Sequence, residues 1–163
     1  MKTEKKGIGF AADLSDDWEK AADRFKEDGI AENVSKIRVS LVLGNEGGIF
    51  PVYEQIVKSD PNIIFKENDS AVPWNHVEDM AGIFAFAVEK KLDDIYNSVA
   101  PQPASQQDIY KAISNELGLN DKLPISKFKG QHLVSRKIEN EGFVFKYPDI
   151  EKAVKNLITK SKI

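Results

Sequence analysis

Apolar positions along this chain switch between two spacings. Phe10, Leu14, Trp18, Ala21, Ala22 and Phe25 recur at helical intervals, Asp, Glu and Lys fill the opposite face, and Gly29 follows as a stop. Residues 37–43 (IRVSLVL) then form a run rich in branched apolar side chains ended by Gly44, which reads as a buried strand of a parallel sheet. Asn45-Glu46-Gly47-Gly48 makes a flexible loop, whose adjacent glycines either admit a ligand to the backbone or simply turn the chain. Residues 49–58 read as a helix with Pro51 in its first turn. Residues 62–66 and 71–77 predict two strands of a hairpin around Glu67-Asn68-Asp69-Ser70, Pro73 making the second an edge or irregular strand.

From Asp79 the period becomes helical, with Met80, Ile83, Phe84, Ala87 and Val88 on one stripe running to about Lys91. Residues 96–99 are a short strand. Ser105 and Asp108 form a capping box with Asp in the usual Glu position, ahead of a helix that buries Ile109, Ala112, Ile113 and Leu117 and stops at Gly118. A brief strand at 122–125 and a short helix from Ser135 to Glu141 follow. Residues 143–148 (FVFKYP) are extended, and Asp149 caps a last helix carrying Ile150, Ala153, Val154, Leu157 and Ile158. Strands and helices alternate, which predicts an α/β layout.

The totals add little to this picture but exclude much. The 163 residues, 41% hydrophobic and 30% charged, suffice for one domain with a core. Residues 1–9 read as a flexible N-terminus and 10–163 as a single α/β domain. No apolar run has the length of a membrane span, and MKTEKKGIGF lacks the apolar stretch of a signal peptide, so a cytoplasmic location is expected. There are no cysteines, which excludes disulfides and thiolate chemistry. The two histidines, His76 and His132, form no His-x-x-x-His pair, so no metal site is expected. The net charge of −3 is uneven, since residues 121–163 carry ten Lys/Arg against five Asp/Glu. The lysines are dispersed and lack interleaved aromatics, the pattern of a solvated face rather than a nucleic-acid surface.

Reactive constellations are few. The chain contains no Gly-x-Gly-x-x-Gly after a strand, no phosphate-binding loop with Lys, and no Gly-x-Ser-x-Gly elbow. The residues four positions after Tyr53, Tyr96, Tyr110 and Tyr147 are Val57, Ala100, Ser114 and Glu151, so no Tyr-x-x-x-Lys occurs to lower a phenol's pKa. The densest group is Trp74, His76, Glu78 and Asp79. In a strand Trp74 and His76 share a face. His76 is either a ligand donor or a hydrogen-bonded structural residue, Trp74 either stacks on a ligand or fills core, and Asp79 is expected to cap the helix that starts there.

Four stretches together resemble the C-terminal half of extended short-chain dehydrogenase/reductases, in the NAD-dependent epimerase-like family that ends in a domain of unknown function. They are RVSLVLGNEGG at 38–48, WNHVEDM at 74–80, YNSVAPQPAS at 96–105 and GFVFKYPDIEKA at 142–153. The resemblance implies a partial Rossmann-type sheet made of late strands only. A small substrate domain would comprise the hairpin, the 49–58 helix and the C-terminal helices. The cleft between them would be lined by Asn45, Gly47, Gly48, Trp74 and His76 as substrate contacts. NAD or NADP is the cofactor of such a family, and a nucleotide-sugar-like small molecule its ligand.

The departures from that family set the functional expectation. The glycine-rich dinucleotide loop is absent, and Ala11 and Ser15 stand where the family's Tyr and Lys would be. Ser40 replaces a glycine, Pro73 a small polar residue and Asn75 an aliphatic one. The chain is therefore expected to be the substrate-domain portion of an NAD(P)-dependent epimerase/reductase-like protein, without catalytic residues of its own and binding no cofactor alone. The alternatives are a non-enzymatic small-molecule-binding or oligomerisation module, or half of a split enzyme. A strand such as 37–43 left without its neighbours also predicts a homodimer, a covering helix or a missing N-terminal Rossmann half.

Overall fold

A computed structural model describes residues 9–65, 70–121, 123–125 and 133–161. Apart from Gly9, the expected flexible N-terminus lies outside these, as do His132 and the turn residues Glu67, Asn68 and Asp69.

The first helix, α1 (Phe10–Glu27), runs where the apolar period places it. Strands β1 (Lys36–Val39) and β2 (Leu41–Leu43) follow, then helix α2 (Phe50–Ser59). A 3-10 turn over Pro61–Phe65 leads to β3 (Ala71–Val72) and β4 (Trp74–His76), and α3 (Val77–Glu89) starts directly from β4. Then come β5 (Ile95–Ser98), β6 (Ala104–Ser105), α4 (Gln106–Leu117), the short α5 (Arg136–Asn140) and α6 (Ile150–Ser161). The result is the mixed α/β fold with short parallel pairs that the sequence pattern implies.

The run at 37–43 is forked rather than continuous. Its first half, β1, pairs in parallel with β5, and its second half, β2, pairs in parallel with β4. The change of partner falls at Ser40, whose backbone N–H and Oγ–H both donate to Ser98 O, at 3.3 and 2.6 Å. One residue later Leu41 N–H donates to Pro73 O at 3.0 Å. Asn75 Nδ2 donates to Ser98 Oγ at 2.7 Å, so a polar knot of the half-buried Ser40 and the buried Ser98 and Asn75 ties the branches together. A polar residue in the middle of the run is what marks the fork.

The expected hairpin is not formed. Pro61 and the Asp60 side chain, which accepts from Asn62 N–H at 3.1 Å, start a 3-10 turn where residues 62–65 read as a strand. The second strand is broken at Pro73, and its halves diverge: β3 pairs antiparallel with β6 while β4 joins β2. The brief strand expected at 122–125 is also absent over 123–125, and Lys122 lies outside the described residues. The Asn115 side chain instead holds Leu123, accepting from its N–H at 2.8 Å and donating to its carbonyl at 2.9 Å.

The larger core gathers α2, α4 and α6 around Trp74, with Phe50, Val57, Ile109, Ile113, Val154 and Leu157 fully buried. α4 is fixed by the capping box, Ser105 Oγ accepting from Asp108 N–H and the Asp108 carboxylate from Ser105 N–H, at 3.0 and 2.9 Å. A smaller core joins α3, β5 and α5 through Ile83, Ala87, Tyr96, Ile138 and Phe145. α1 belongs to neither core. It is fastened to β1 by ion pairs, Glu19 with Arg38 at 2.7 Å and Asp23 with Lys36 at 2.6 Å, and to the start of β5 by Lys26 with Asp93.

Candidate functional site

β2 and β4 run in parallel with Leu43 opposite His76, so both strands end at one level. The crevice outside the carboxyl ends of parallel strands is where open α/β sheets place ligands. Two segments leave the strands there. After β2 the loop 44–48 runs into α2, and after β4 the chain enters α3 without a spacer.

The loop is shaped by glycine. Gly48 has φ +73° and folds back to bridge Leu43 in antiparallel fashion, a left-handed conformation that side chains disfavour. Gly47 faces open space, with no atom within 4 Å of where a Cβ would stand. Gly47 and Gly48 are exposed and Asn45 is half-buried. The start of α2 that follows has no side-chain cap and no acidic residue in its first turn.

Trp74 and His76 are placed differently. Both are 0% exposed. Trp74 is the centre of the larger core, and its Nε1–H donates to Gln102 O at 3.1 Å. His76 is the N-cap of α3, its Nδ1 accepting from Glu78 N–H at 3.0 Å. That bond leaves the imidazole proton on Nε2. Nε2 faces the side-chain oxygen of Asn156 on α6, both buried, a donor and an acceptor of matching sense. The Tyr147 ring stacks on the imidazole, centroids 3.8 Å apart. Burial lowers the His76 pKa, against the opposing pull of Glu78 and Asp79, so the ring is held neutral. The structure thus gathers Asn45, Gly47 and Gly48 on one accessible loop and keeps the Trp74 and His76 side chains behind it.

Asp79 is not the helix cap it was expected to be. With β4 extended through His76 (φ −79°, ψ 142°), the cap position is His76 and Asp79 is the third helical residue. Its carboxylate reaches across to accept from Lys146 N–H and Tyr147 N–H, both at 2.8 Å. It is the clamp that docks the extended segment 143–148. Beside it Glu78 pairs with Lys146 at 2.6 Å and with Lys160, and accepts from Tyr147 Oη–H at 3.2 Å. The two ammonium groups lower the Glu78 carboxyl to about 2. Sequence reasoning missed this cluster because its partners lie far apart in the chain. The available signal was the period-two run Phe143, Phe145, Tyr147, which marks a segment presenting one aromatic face.

Among the described residues no three His, Cys, Asp or Glu are grouped to hold a metal, and no helix is long and apolar enough to cross a membrane. The accessible loop at the crevice offers backbone amides, the Asn45 side-chain amide and the exposed Glu46 carboxylate.

Residues 128–157 match the family model described as Domain of unknown function (DUF1731), the region that carries the clamped segment. The epimerase family protein YfhF of Bacillus subtilis is 27% identical over 160 residues, covering 89% of this chain and 52% of that protein. The chain is similar to epimerase family proteins. It spans about half the length of the curated relatives it matches. The nucleoside-diphosphate sugar epimerase of Corynebacterium glutamicum has the same fold over 96% of this chain and 34% of its own, with a TM-score of 0.70 at 23% identity. The human epimerase family protein SDR39U1, solved with NADPH, superposes over 96% of this chain and 58% of its own, with a TM-score of 0.64 at 19% identity. These neighbours are Rossmann-type epimerases, in keeping with the parallel pairs β1–β5 and β2–β4.

Proposed function

We propose that this chain is the C-terminal, substrate-domain portion of an NAD(P)-dependent epimerase/reductase-like protein and supplies one wall of its ligand cleft. The observation that carries this reading is the exposed loop at the carboxyl ends of β2 and β4. Gly47 and Gly48 present bare backbone there, directly before the uncapped start of α2. Backbone N–H groups at a helix start, with its positive dipole end, suit an anionic group such as the diphosphate of a nucleotide-sugar. Asn45 flanks it. Trp74 and His76 hold the wall rigid from behind instead of touching the ligand.

The described residues do not fit a whole dinucleotide. The starts of α3 and α4 are filled by His76 and by the Ser105–Asp108 box, whereas α2 follows its glycine loop without a side-chain cap. On this reading the chain alone neither holds NAD or NADP tightly nor turns over substrate. A missing Rossmann half, supplied by another segment or another chain, would complete the site.

Titration of the chain with UDP-glucose, followed by backbone amide NMR, tests the proposal. Shifts are expected at Asn45, Glu46, Gly47 and Gly48 and at the first turn of α2. Gly47→Asp, which fits the open space but adds negative charge, is expected to abolish them, while Gly47→Ala keeps them. Shifts confined to another surface would overturn the assignment. NADH oxidation with a nucleotide-sugar by the purified chain would overturn the claim that it is inactive alone.

A further inference from the structure

Three parts of the fold meet on the His76 ring. Nδ1 accepts from Glu78 N–H and so caps α3, the Tyr147 ring of the extended segment stacks on the imidazole, and Nε2 faces Asn156 on α6. Tyr147 packs with the larger core, while α3 carries Ile83 and Ala87 into the smaller one. The ring therefore sits where the two cores are joined. Lys146 and Tyr147 form the stretch over it, strung between Phe145 in the smaller core and Ile150 in the larger.

This contact works in one charge state only. Neutral imidazole offers an acceptor at Nδ1 and a donor at Nε2, which is what Glu78 N–H and the Asn156 oxygen require. A second proton, on Nδ1, points at the Glu78 N–H, donor against donor, and removes the cap. The ring is 0% exposed, so water does not reach it to accept the new N–H. The ionisable groups around it are engaged elsewhere. On α3, the Asp79 carboxylate accepts from Lys146 N–H and Tyr147 N–H, and the Glu78 carboxylate accepts from Lys146, Lys160 and Tyr147 Oη–H. Lys160 on α6 and Lys146 on the extended segment are like charges to an imidazolium. β2, the strand alongside, brings only Leu41, Val42 and Leu43.

We propose that His76 is an acid-released latch: neutral, it ties Lys146 and Tyr147 down over the start of α3, and protonated, it lets that stretch lift while both cores stay folded. The stretch yields because little else holds it. Lys146 is exposed and Val144 beside it is 84% exposed, and beyond the ring stack the ties are the two amide bonds to Asp79 and the surface pairing with Glu78. α6 by contrast is rooted by Ile150, Ala153, Val154, Leu157 and Ile158, all buried. In the open form His76 takes its proton at the ordinary 6.5, and in the closed form burial defers it to lower pH. Opening is therefore suppressed above about 6.5 and grows as pH falls below it, by at most about tenfold per pH unit for one proton. The latch makes no use of the ligand loop and stands or falls apart from it.

Amide exchange of the whole chain between about pH 7.5 and about pH 5, corrected for the intrinsic rate, reads the opening constants directly. At Glu78, Lys146 and Tyr147 they are expected to be level above about pH 6.5 and to rise by up to about tenfold per unit below it, with Ile113 and Leu157 at least about tenfold better protected throughout. His76→Asn keeps a capping side chain without a titrating ring, and its opening constants should be level with pH. Asn156→Asp sets a carboxylate against Nε2 at nearly unchanged volume. It should hold the ring charged in place, so that the imidazole nitrogen-15 shifts report protonation at higher pH and the slope of opening falls by about half or more. Opening constants level with pH in the unmodified chain, Ile113 and Leu157 opening as readily as Tyr147, or an undiminished slope in either variant would each overturn the proposal.

Discussion

The two tryptophans of this protein occupy opposite surroundings. Trp74 is enclosed by α2, α4 and α6, with its indole N–H satisfied by Gln102 O. Trp18 stands on the outer face of α1 with most of its ring in solvent. The region around Trp74 is well enclosed: its apolar side chains meet other apolar side chains, and the starts of α4 and α6 are capped by Ser105 and Asp149. The region of α1 and β1 is held by ion pairs at its polar seams while apolar surface faces outward. Exposed ion pairs of this kind contribute little each, typically under about 1 kcal/mol, so α1 is held loosely beside a well-packed body. The contrast separates what this chain folds around from what it leaves facing outward.

The strongest way to test that contrast is to truncate both rings. Trp74→Ala is expected to cost about 3–5 kcal/mol, read as a fall in the urea midpoint, because it leaves a cavity in the larger core. Trp18→Ala should change the stability of the chain by less than about 0.5 kcal/mol. Equal losses from the two substitutions would show that α1 is part of the core after all.

Asp79 is the next most sensitive position on the enclosed side. Asp79→Ala strands the amides of Lys146 and Tyr147, and unsatisfied buried donors of this kind cost about 1–3 kcal/mol each. A loss of about 2–4 kcal/mol is expected, with exchange of those two amides accelerated. Gly48→Ala places a side chain at φ +73° and should cost about 1–2 kcal/mol. Its effect is confined to the loop and reads out as altered amide shifts at residues 44–49.

Acid should loosen the enclosed region in two stages. The folded protein depresses His76 below its ordinary 6.5, so the unfolded chain takes up its proton first. The stability linked to His76 is complete above about 6.5 and is lost as pH falls through the depressed folded value. Glu78, lowered from an ordinary 4.5 to about 2, contributes above about 4.5 and loses its contribution as pH falls towards about 2. Thermal unfolding followed from pH 8 to pH 2 should show both falls. Glu78→Gln should remove the lower one at a cost of under about 1 kcal/mol near neutrality, since its lysine partners are largely exposed.

Features written in adjacent residues were legible before the fold was known. The Ser105–Asp108 box, the Gly118 stop and the aliphatic stripe of α6 depend on neighbours three or four positions away. The fork at Ser40 depends on which strands arrive beside the run, and nothing in IRVSLVL says that β5 takes its first half and β4 its second. The same limit explains Asp79. Its position beside a helix start suggested a cap, and only the distant segment 143–148 makes it a clamp. At the candidate site the glycine loop could be recognised from composition. The burial of His76 could not, because Tyr147 and Asn156 are brought to it by tertiary packing.

The clamp at Asp79 also orders events in time. Its partners lie 67 and 68 residues further along the chain, and the Lys160 that joins Glu78 lies 82 residues further. On a ribosome adding roughly 5–20 residues per second, β4 and the start of α3 wait roughly 3–14 s for the segment that seals them. During that interval His76 lacks its stacked Tyr147, and the α2–α4 half of the core lacks α6. The C-terminal segment therefore acts as a closing step in synthesis, and a nascent chain stalled before residue 146 would present the Trp74 core to whatever chaperone is at hand.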